Sequence, residues 1–482
     1  MKRKTIYHNQ SQEILHLFET AGNRSKVMCI PIDYAKKDHT VMFCNGNGRI
    51  IRKPFSVKNS LEGMNFLTDQ IKKSSRHHGI LTEHIFLGGE DVGAYAENFV
   101  DALRSESWLV AGVNAYDAKV QRDNMQASTD CLDLMGIAKL LLTCRGNCAP
   151  AQSGNYRNLR LLVRHRRRIV TNTTEVKNRV HTVVDRIFPG FLNESKSGVF
   201  PFSNASLWLM KDRFSPQQIR RRKRSTLIIS LKKQGTKKPD IVTDKLQRYA
   251  AEVITPNKDF VHTLQNVLSQ HVIHLGYLLE NAKRLESEIA RSLALTQGAF
   301  LTSIRGIGIV LAAGVCAEIG NPNKQKPLSN LVSYSGIIPK VKQTGGKEGQ
   351  TRIGKVAKRC NRILKDYVVQ SASHMGKHGP DELMLDHKRR SSRGQHADFG
   401  IGRRFLRMAM CLMKTSQVYL PGKLRSSGCP VEERAAYYLK TWDNLREKWR
   451  KADALKIAFS TDKPLGLWRN IVQGVYGIKL NL

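Results

Sequence analysis

Four acids carry the strongest chemical signal in the chain: Asp33 in IPIDYAKK, Glu90 in IFLGGEDVGAY, and Asp130 and Asp133 in STDCLDLMGIAK. The last two stand at an i, i+3 spacing where a helical pattern begins, and such a pair shares one helical face. Carboxylates tolerate clustering around divalent charge. Hard oxygen ligands suit Mg²⁺, and a pair of such ions stabilises both the attacking and the leaving oxygens of a phosphoryl transfer. Each acid also has a plainer reading. Asp33 could be a solvated strand end, Glu90 the partner of a lysine, and Asp130 the N-cap of its helix. Asp91, Asp38 and Asp117 compete for membership. Together and in this order, the four read as a metal site for Mg²⁺, about two ions per active site.

The elements around these acids give the reading its geometry. Short apolar runs over 26–32, 40–44 and 49–55 predict three strands, with Asn45-Gly46-Asn47-Gly48 turning between the last two. Leu61, Met64, Phe66, Leu67 and Ile71 predict a helix over 59–75. Further strands are expected over 84–87 and 108–113, with a helix over 94–104 between them and a final helix over 131–142. The order βββαβαβα is that of an RNase H-like (RuvC-like) mixed sheet, begun by a meander and finished by parallel strands with crossover helices. Asp33 then ends the first strand and Glu90 the fourth.

Beyond residue 150 the period changes. Leu159, Leu162, Arg166, Ile169, Thr173, Val176, Val180, Val183 and Ile187 form a heptad seam, and Val261, Leu264, Leu268, His271, Leu275, Leu278, Ala282, Leu285 and Ile289 form a second. The segment between them carries Arg220-Arg221-Arg222-Lys223-Arg224 and reads as a basic insertion able to lie on nucleic acid. The run Arg164-His165-Arg166-Arg167-Arg168 suits phosphate contact or a solvated face. Ile304-Arg305-Gly306-Ile307-Gly308 resembles a helix-hairpin-helix turn, whose N–H groups suit a phosphate. A Gly-rich basic loop is expected over 340–355 and a helix over 357–373. The fold class is therefore α/β plus α. The expected domains are an RNase H-like catalytic domain (1–150), a coiled-coil linker with a basic insertion (151–298), a mainly helical C-terminal domain (299–425) and a helical tail (426–482). In the tail, Trp442, Trp449 and Trp468 suggest packing, against RNA or a partner subunit among other surfaces.

Composition sets the partner class. The chain has 482 residues, with 79 Lys and Arg against 40 Asp and Glu, a net charge of +39 and a pI near 10.1. Such asymmetry argues against an ordinary metabolic enzyme and for a polyanionic partner. Few aromatics interleave the basic stretches, so a single-strand stacking platform is not indicated. No apolar run approaches the roughly 20 residues of a spanning helix, and no signal-peptide core follows Met1-Lys2-Arg3-Lys4, so no membrane partner is expected. Nine scattered cysteines fit a reducing cytoplasm.

The acids, the long helical linker, and then GIGIVLAAGVCAEIG, YSGIIPKVKQTGGKEGQTRIGKVAKRCNRILK and RRFLRMAMCLMKTSQVYLP resemble the DEDD insertion-sequence transposases, also called bridge-RNA-guided recombinases. The resemblance runs over roughly residues 26–420. It implies an enzyme that breaks and rejoins DNA strands of a mobile element and its target, guided by a structured RNA that pairs with donor and target DNA. It implies that Asp33, Glu90, Asp130 and Asp133 bind Mg²⁺, that a C-terminal hydroxyl forms a covalent protein–DNA link, and that dimers pair into tetramers. The family usually has serine at the nucleophile; the matching residue here is Thr344, in Lys342-Gln343-Thr344-Gly345-Gly346. Threonine hydroxyls are competent nucleophiles once activated. Ser335 is the nearest alternative. Lys342, Gly345, Arg352, Lys355, Lys358, Arg359 and Arg362 would hold the scissile strand. A cytoplasmic, nucleoid-associated bacterial or archaeal protein is expected. Two rival readings are a junction-resolving nuclease using metal-activated water and a catalytically inactive nucleic-acid-binding derivative of a transposase.

Overall fold

Alternation along the strands decides how the first unit is layered. In the computed structural model, which describes residues 10–90, 94–123, 129–148, 153–211, 214–254, 256–324, 328–343, 351–356, 360–426 and 428–481, the chain divides into two compact units, Met1–Pro150 and Ala151–Leu482. The first unit holds a five-stranded sheet in the order β3-β2-β1-β4-β5. Its strands are β1 (Met28–Asp33), β2 (Asp38–Asn45), β3 (Ile50–Lys58), β4 (Ile85–Glu90) and β5 (Leu109–Val113). β1 runs antiparallel to β2 and parallel to β4, and β4 runs parallel to β5. The expected meander followed by parallel strands is present.

Met28, Ile30, Ile32, Ile85 and Leu87 face one side, buried with residues of α2 (Leu61–His78) and α3 (Ala94–Ser105). Cys29, Phe86, Ala111 and Val113 face the other, buried with α1 (Gln12–Ala21), α4 (Ala115–Val120) and α5 (Asp130–Leu142). Helices α1 and α4 are additions to the expected order. α4 is a single short turn held by Asn114, whose Oδ1 accepts from the amides of Tyr116 and Asp117, so its periodicity is too brief to register in sequence.

In the second unit, α6 (Asn155–Ile187) and α12 (Lys258–Ala294) pack along each other. Ile169, Val176, Val180 and Val183 of α6 share a core with Leu264, Leu268, Leu275 and Leu278 of α12. Between them lie helices α7 to α11, within residues 194–252. Phe191, Leu209, Phe214 and Leu246 from that segment complete this core. A second core surrounds the apolar α13 (Ile309–Ile319), with α14 (Leu328–Ser335), α15 (Arg362–His378), α16 (Asp381–Ser392), α17 (Ala397–Thr415), α18 (Val431–Lys451), α19 (Leu455–Ala458) and α20 (Pro464–Tyr476). The Gly-rich segment expected as a loop forms a two-stranded hairpin, β6 (Pro339–Gln343) with β7 (Thr351–Val356).

The tail is structural. Trp442, Trp449 and Trp468 are buried in the same core as α13 and α17, rather than offered to RNA or a partner subunit. Gly306 lies at φ 86° in the turn expected to resemble a helix-hairpin-helix, but the element before it is a 3₁₀ helix, Gln297–Ser303. The Lys448 ammonium closes the carbonyl side, donating to the carbonyls of Thr302 (2.6 Å) and Ile307 (2.9 Å). Burial pushes its pKa down to about 8. Among the described residues, no helix is long and apolar enough to cross a membrane.

Candidate active site

Strand parity gathers the acids. Asp33 follows Cys29 and Pro31 in step, and Glu90 follows Phe86 and Gly88, so both point to the α5 face of the sheet. Ile32 stands opposite Gly89 in the β1–β4 register, so these two strands end side by side on Asp33 and Glu90. On α5, Asp130 and Asp133 continue the stripe of Leu134, Ile137 and Leu141 that packs on the sheet. Close approach is needed there: a Cβ on Gly88 would stand 2.7 Å from Leu141 Cδ2.

Asp130 is not the N-cap of α5. That place belongs to Thr129, whose Oγ1 accepts from the Leu132 amide. Asp130 is left free for the site, where its Oδ2 accepts from Thr40 Oγ1 at 3.3 Å, and Thr40 is the ladder partner of Asp33. The charges feel one another. Burial raises the pKa of Asp33, and the charges of Asp133 and Asp130 raise it further. Burial likewise raises Glu90, followed by the charges of Asp33 and Asp133. Asp91 lies outside the described residues.

Sequence reasoning missed one member. Arg122, just beyond α4, forms an ion pair with Asp133, both side chains largely buried at 11% and 15% exposure. It is the cation that opposes the upward shifts of both Asp33 and Glu90. Its stem crosses α5 at Gly136, where a Cβ would lie 2.5 Å from the Ala118 carbonyl and 3.2 Å from Arg122 Cγ. That glycine, one turn after Asp133, was the available signal. Among the described residues, no three carboxylate, imidazole or thiolate groups stand close enough to hold a single ion.

The other candidate residues lie in the second unit. Lys342 and Arg352 are direct cross-strand partners of the hairpin, and Lys355 lies further along β7. Arg362 opens α15 and is exposed. Thr344, Gly345, Lys358 and Arg359 lie outside the described residues. Ser335 is wholly buried, its Oγ donating to the Val332 carbonyl at 2.8 Å, which removes it as an attacking hydroxyl. Three arginines of the basic run on α6 are ion-paired within the fold, Arg164 with Glu318, Arg166 with Glu286 and Arg167 with Asp366, while His165 and Arg168 are exposed.

Comparison with known proteins joins these regions. Residues 30–189, which contain all four acids, match a DEDD-type family profile of the IS110 group described as "Transposase". Residues 298–382, which contain α13 and the hairpin, match the "Transposase IS116/IS110/IS902 family". The chain belongs to the DEDD transposases of the IS110 family. This transposase is 25% identical over 334 residues, 66% of its length and 77% of the relative's, to a Streptomyces coelicolor protein named as the transposase for the IS117 mini-circle. It is 31% identical over 100 residues, 20% of its length and 29% of the relative's, to the "Transposase for insertion sequence element IS1328" of Yersinia enterocolitica.

DEDD transposases act on DNA and use divalent metal. The four acids of this transposase are hard oxygen donors of the kind such an ion takes, although among the described residues no three of them stand within reach of one ion. Asp33 and Glu90 are half-buried carboxylates at neighbouring strand ends, each made costly to ionise first by burial and then by its acidic neighbours, and added positive charge relieves the second part of that cost.

Proposed function

We propose that this transposase breaks and rejoins DNA strands of a mobile element and its target under the guidance of a structured RNA, through a covalent phosphothreonine link at Thr344. The observation that carries the reading is the gathering of Asp33, Glu90, Asp130 and Asp133 at one end of an RNase H-like sheet, in a chain that also carries the matched hairpin segment. The four acids would hold Mg²⁺, as two ions in the family's manner; when bound, divalent charge stabilises the attacking and leaving oxygens. Thr344 Oγ forms the new P–O bond, its proton passes to a base, and the bond to the leaving DNA oxygen breaks. Lys342, Gly345, Arg352, Lys355, Lys358, Arg359 and Arg362 hold the strand and offset charge on the phosphoryl oxygens. Base pairing reads sequence, so the protein needs cations more than base contacts, and a charge of +39 supports a guide RNA and two duplexes. The α6–α12 pair serves as a coiled coil for dimers that assemble into tetramers.

The test is the denaturant-stable protein–DNA adduct in cells carrying the complete element on a plasmid. Thr344→Ala should abolish it and Thr344→Ser should keep it. An adduct persisting in Thr344→Ala would refute the nucleophile. Metal-dependent nicking without any adduct, lost in Asp33→Asn, would favour the water-using nuclease.

A further inference from the structure

Among the described residues of the second unit Glu318 is the most buried charge, at 0% exposure, and the reaction described above does not use it. It sits near the end of α13. One turn earlier, a Cβ on Gly314 would stand 2.4 Å from the Tyr367 ring, so α13 and α15 approach closely on the face that carries Glu318. Its carboxylate accepts a two-pronged pair of bonds from Arg164 of α6, Nε to Oε1 at 2.8 Å and Nη2 to Oε2 at 2.9 Å, with Arg160 3.5 Å away. Asn361 Nδ2 donates to Oε2 at 2.7 Å. Burial works against ionisation, yet the bonds from Arg164 and Asn361 with the charge of Arg160 hold the carboxyl below its ordinary range.

Asn361 uses its whole side chain. Its Oδ1 caps α15, accepting from the amides of Ile363 (3.1 Å) and Leu364 (3.0 Å), while Nδ2 also donates to Tyr334 Oη at 2.9 Å. Its own amide donates to the Tyr334 carbonyl at 2.8 Å. Tyr334 is in the last turn of α14, shortly before β6, and Asn361 caps α15, shortly after β7. The chain between 335 and 360 is thus an excursion whose two roots are tied to each other and then to one buried carboxylate. An apolar contact would stabilise such a junction as well or better; a buried ionic network instead specifies one geometry.

We propose that the Glu318–Asn361–Tyr334 junction positions the β6–β7 hairpin for strand attack, Asn361 being the positioning residue that Arg164 and Glu318 hold from α6 and α13. The proposal rests on the assignment of the attacking hydroxyl to Thr344. Asparagine is required because one end must accept from the helix and the other must donate to a carboxylate. Aspartate caps a helix equally well, but sets a second carboxylate against Glu318.

The test compares Asn361→Asp, Tyr334→Phe and Thr344→Ala in the full chain. Adduct formation is followed in cells carrying the complete element, and trypsin cleavage within 340–359 is followed on the purified protein, with thermal midpoint and retention on duplex DNA as controls. Asn361→Asp should slow adduct formation by about tenfold or more, and Tyr334→Phe by about fivefold, the worth of one hydrogen bond. Both should speed cleavage in the hairpin while DNA retention holds; Tyr334→Phe, which keeps the cap and the charge, should also keep the midpoint. Adduct formation at the native rate in both variants, or slowed adduct formation with hairpin cleavage unchanged, would overturn the positioning role. Thr344→Ala retaining the adduct would overturn the nucleophile assignment instead, an outcome that needs no change at Asn361.

Discussion

Gly136→Ala sets two opposing effects against each other at the acid cluster. Helix propensity alone predicts a gain of about 1 kcal/mol, because alanine surrenders less backbone entropy than glycine inside a helix. Packing predicts the reverse. The new Cβ would stand 2.5 Å from the Ala118 carbonyl and 3.2 Å from Arg122 Cγ. The first is backbone of a short helix pinned by Asn114, so relief requires α4 to shift; overpacking of this kind costs about 1–3 kcal/mol. Packing wins, with a net loss of about 1 kcal/mol, and the Arg122–Asp133 pair loosens with it. Amide hydrogen exchange over 28–33 and 130–142 reads the first unit without assuming that the two units unfold together. Gly276→Ala on α12 is the internal standard, since nothing lies within 4 Å of its Cβ and it should show the propensity gain. If Gly136→Ala protects its region as Gly276→Ala protects α12, the close crossing of α4 and α5, and with it the seat of Arg122, is refuted.

Three other outcomes follow from the same contacts. Arg122→Gln should tighten Mg²⁺ or Mn²⁺ binding in calorimetric titration by about tenfold, roughly 1.4 kcal/mol for removing one competing charge; weaker binding would mean that the guanidinium supports the ion rather than competing with it. Asp33→Asn should unfold at higher temperature than the native chain in chelator at neutral pH, and the gap should close on acidification. The sign follows from a folded-state pKa raised above the unfolded one: the ionised form costs stability at neutral pH, and protonation removes that cost. A gap that widens as pH falls would contradict it. Trp449→Ala should destabilise the second unit by about 3–5 kcal/mol in urea, because the ring is fully buried and its Nε1 donates to Thr302 Oγ1; a loss below about 1 kcal/mol would place the tail outside the core.

The strands and long helices were legible because period-2 and heptad patterns are local. Parity along β1 and β4 carries Asp33 and Glu90 to one face, and the i, i+3 spacing carries Asp130 and Asp133 to theirs, so the cluster could be read from order alone. Arg122 left only the glycine at 136 as a trace, since an ion pair from an irregular turn to a helix has no period of its own. Glu318 and Asn361 stood inside quoted motifs without a role, because their bonds join three helices far apart in sequence. Glycines at 345, 346 and 349 made the hairpin read as a loop, whereas Val341 and Ile353 face each other across a ladder. The tail's tryptophans announced packing but not its partner.

That tail also bears on how the protein is made. The unit with the acid cluster precedes the other along the chain, whereas the core around α13 includes Trp468 and a fully buried Leu480. A ribosome must pass residue 480 before this core can close, so a message cut short gives a chain that carries the acids without a finished hairpin scaffold. Truncated chains would therefore fold the unit that bears the acids while leaving the core around α13 open.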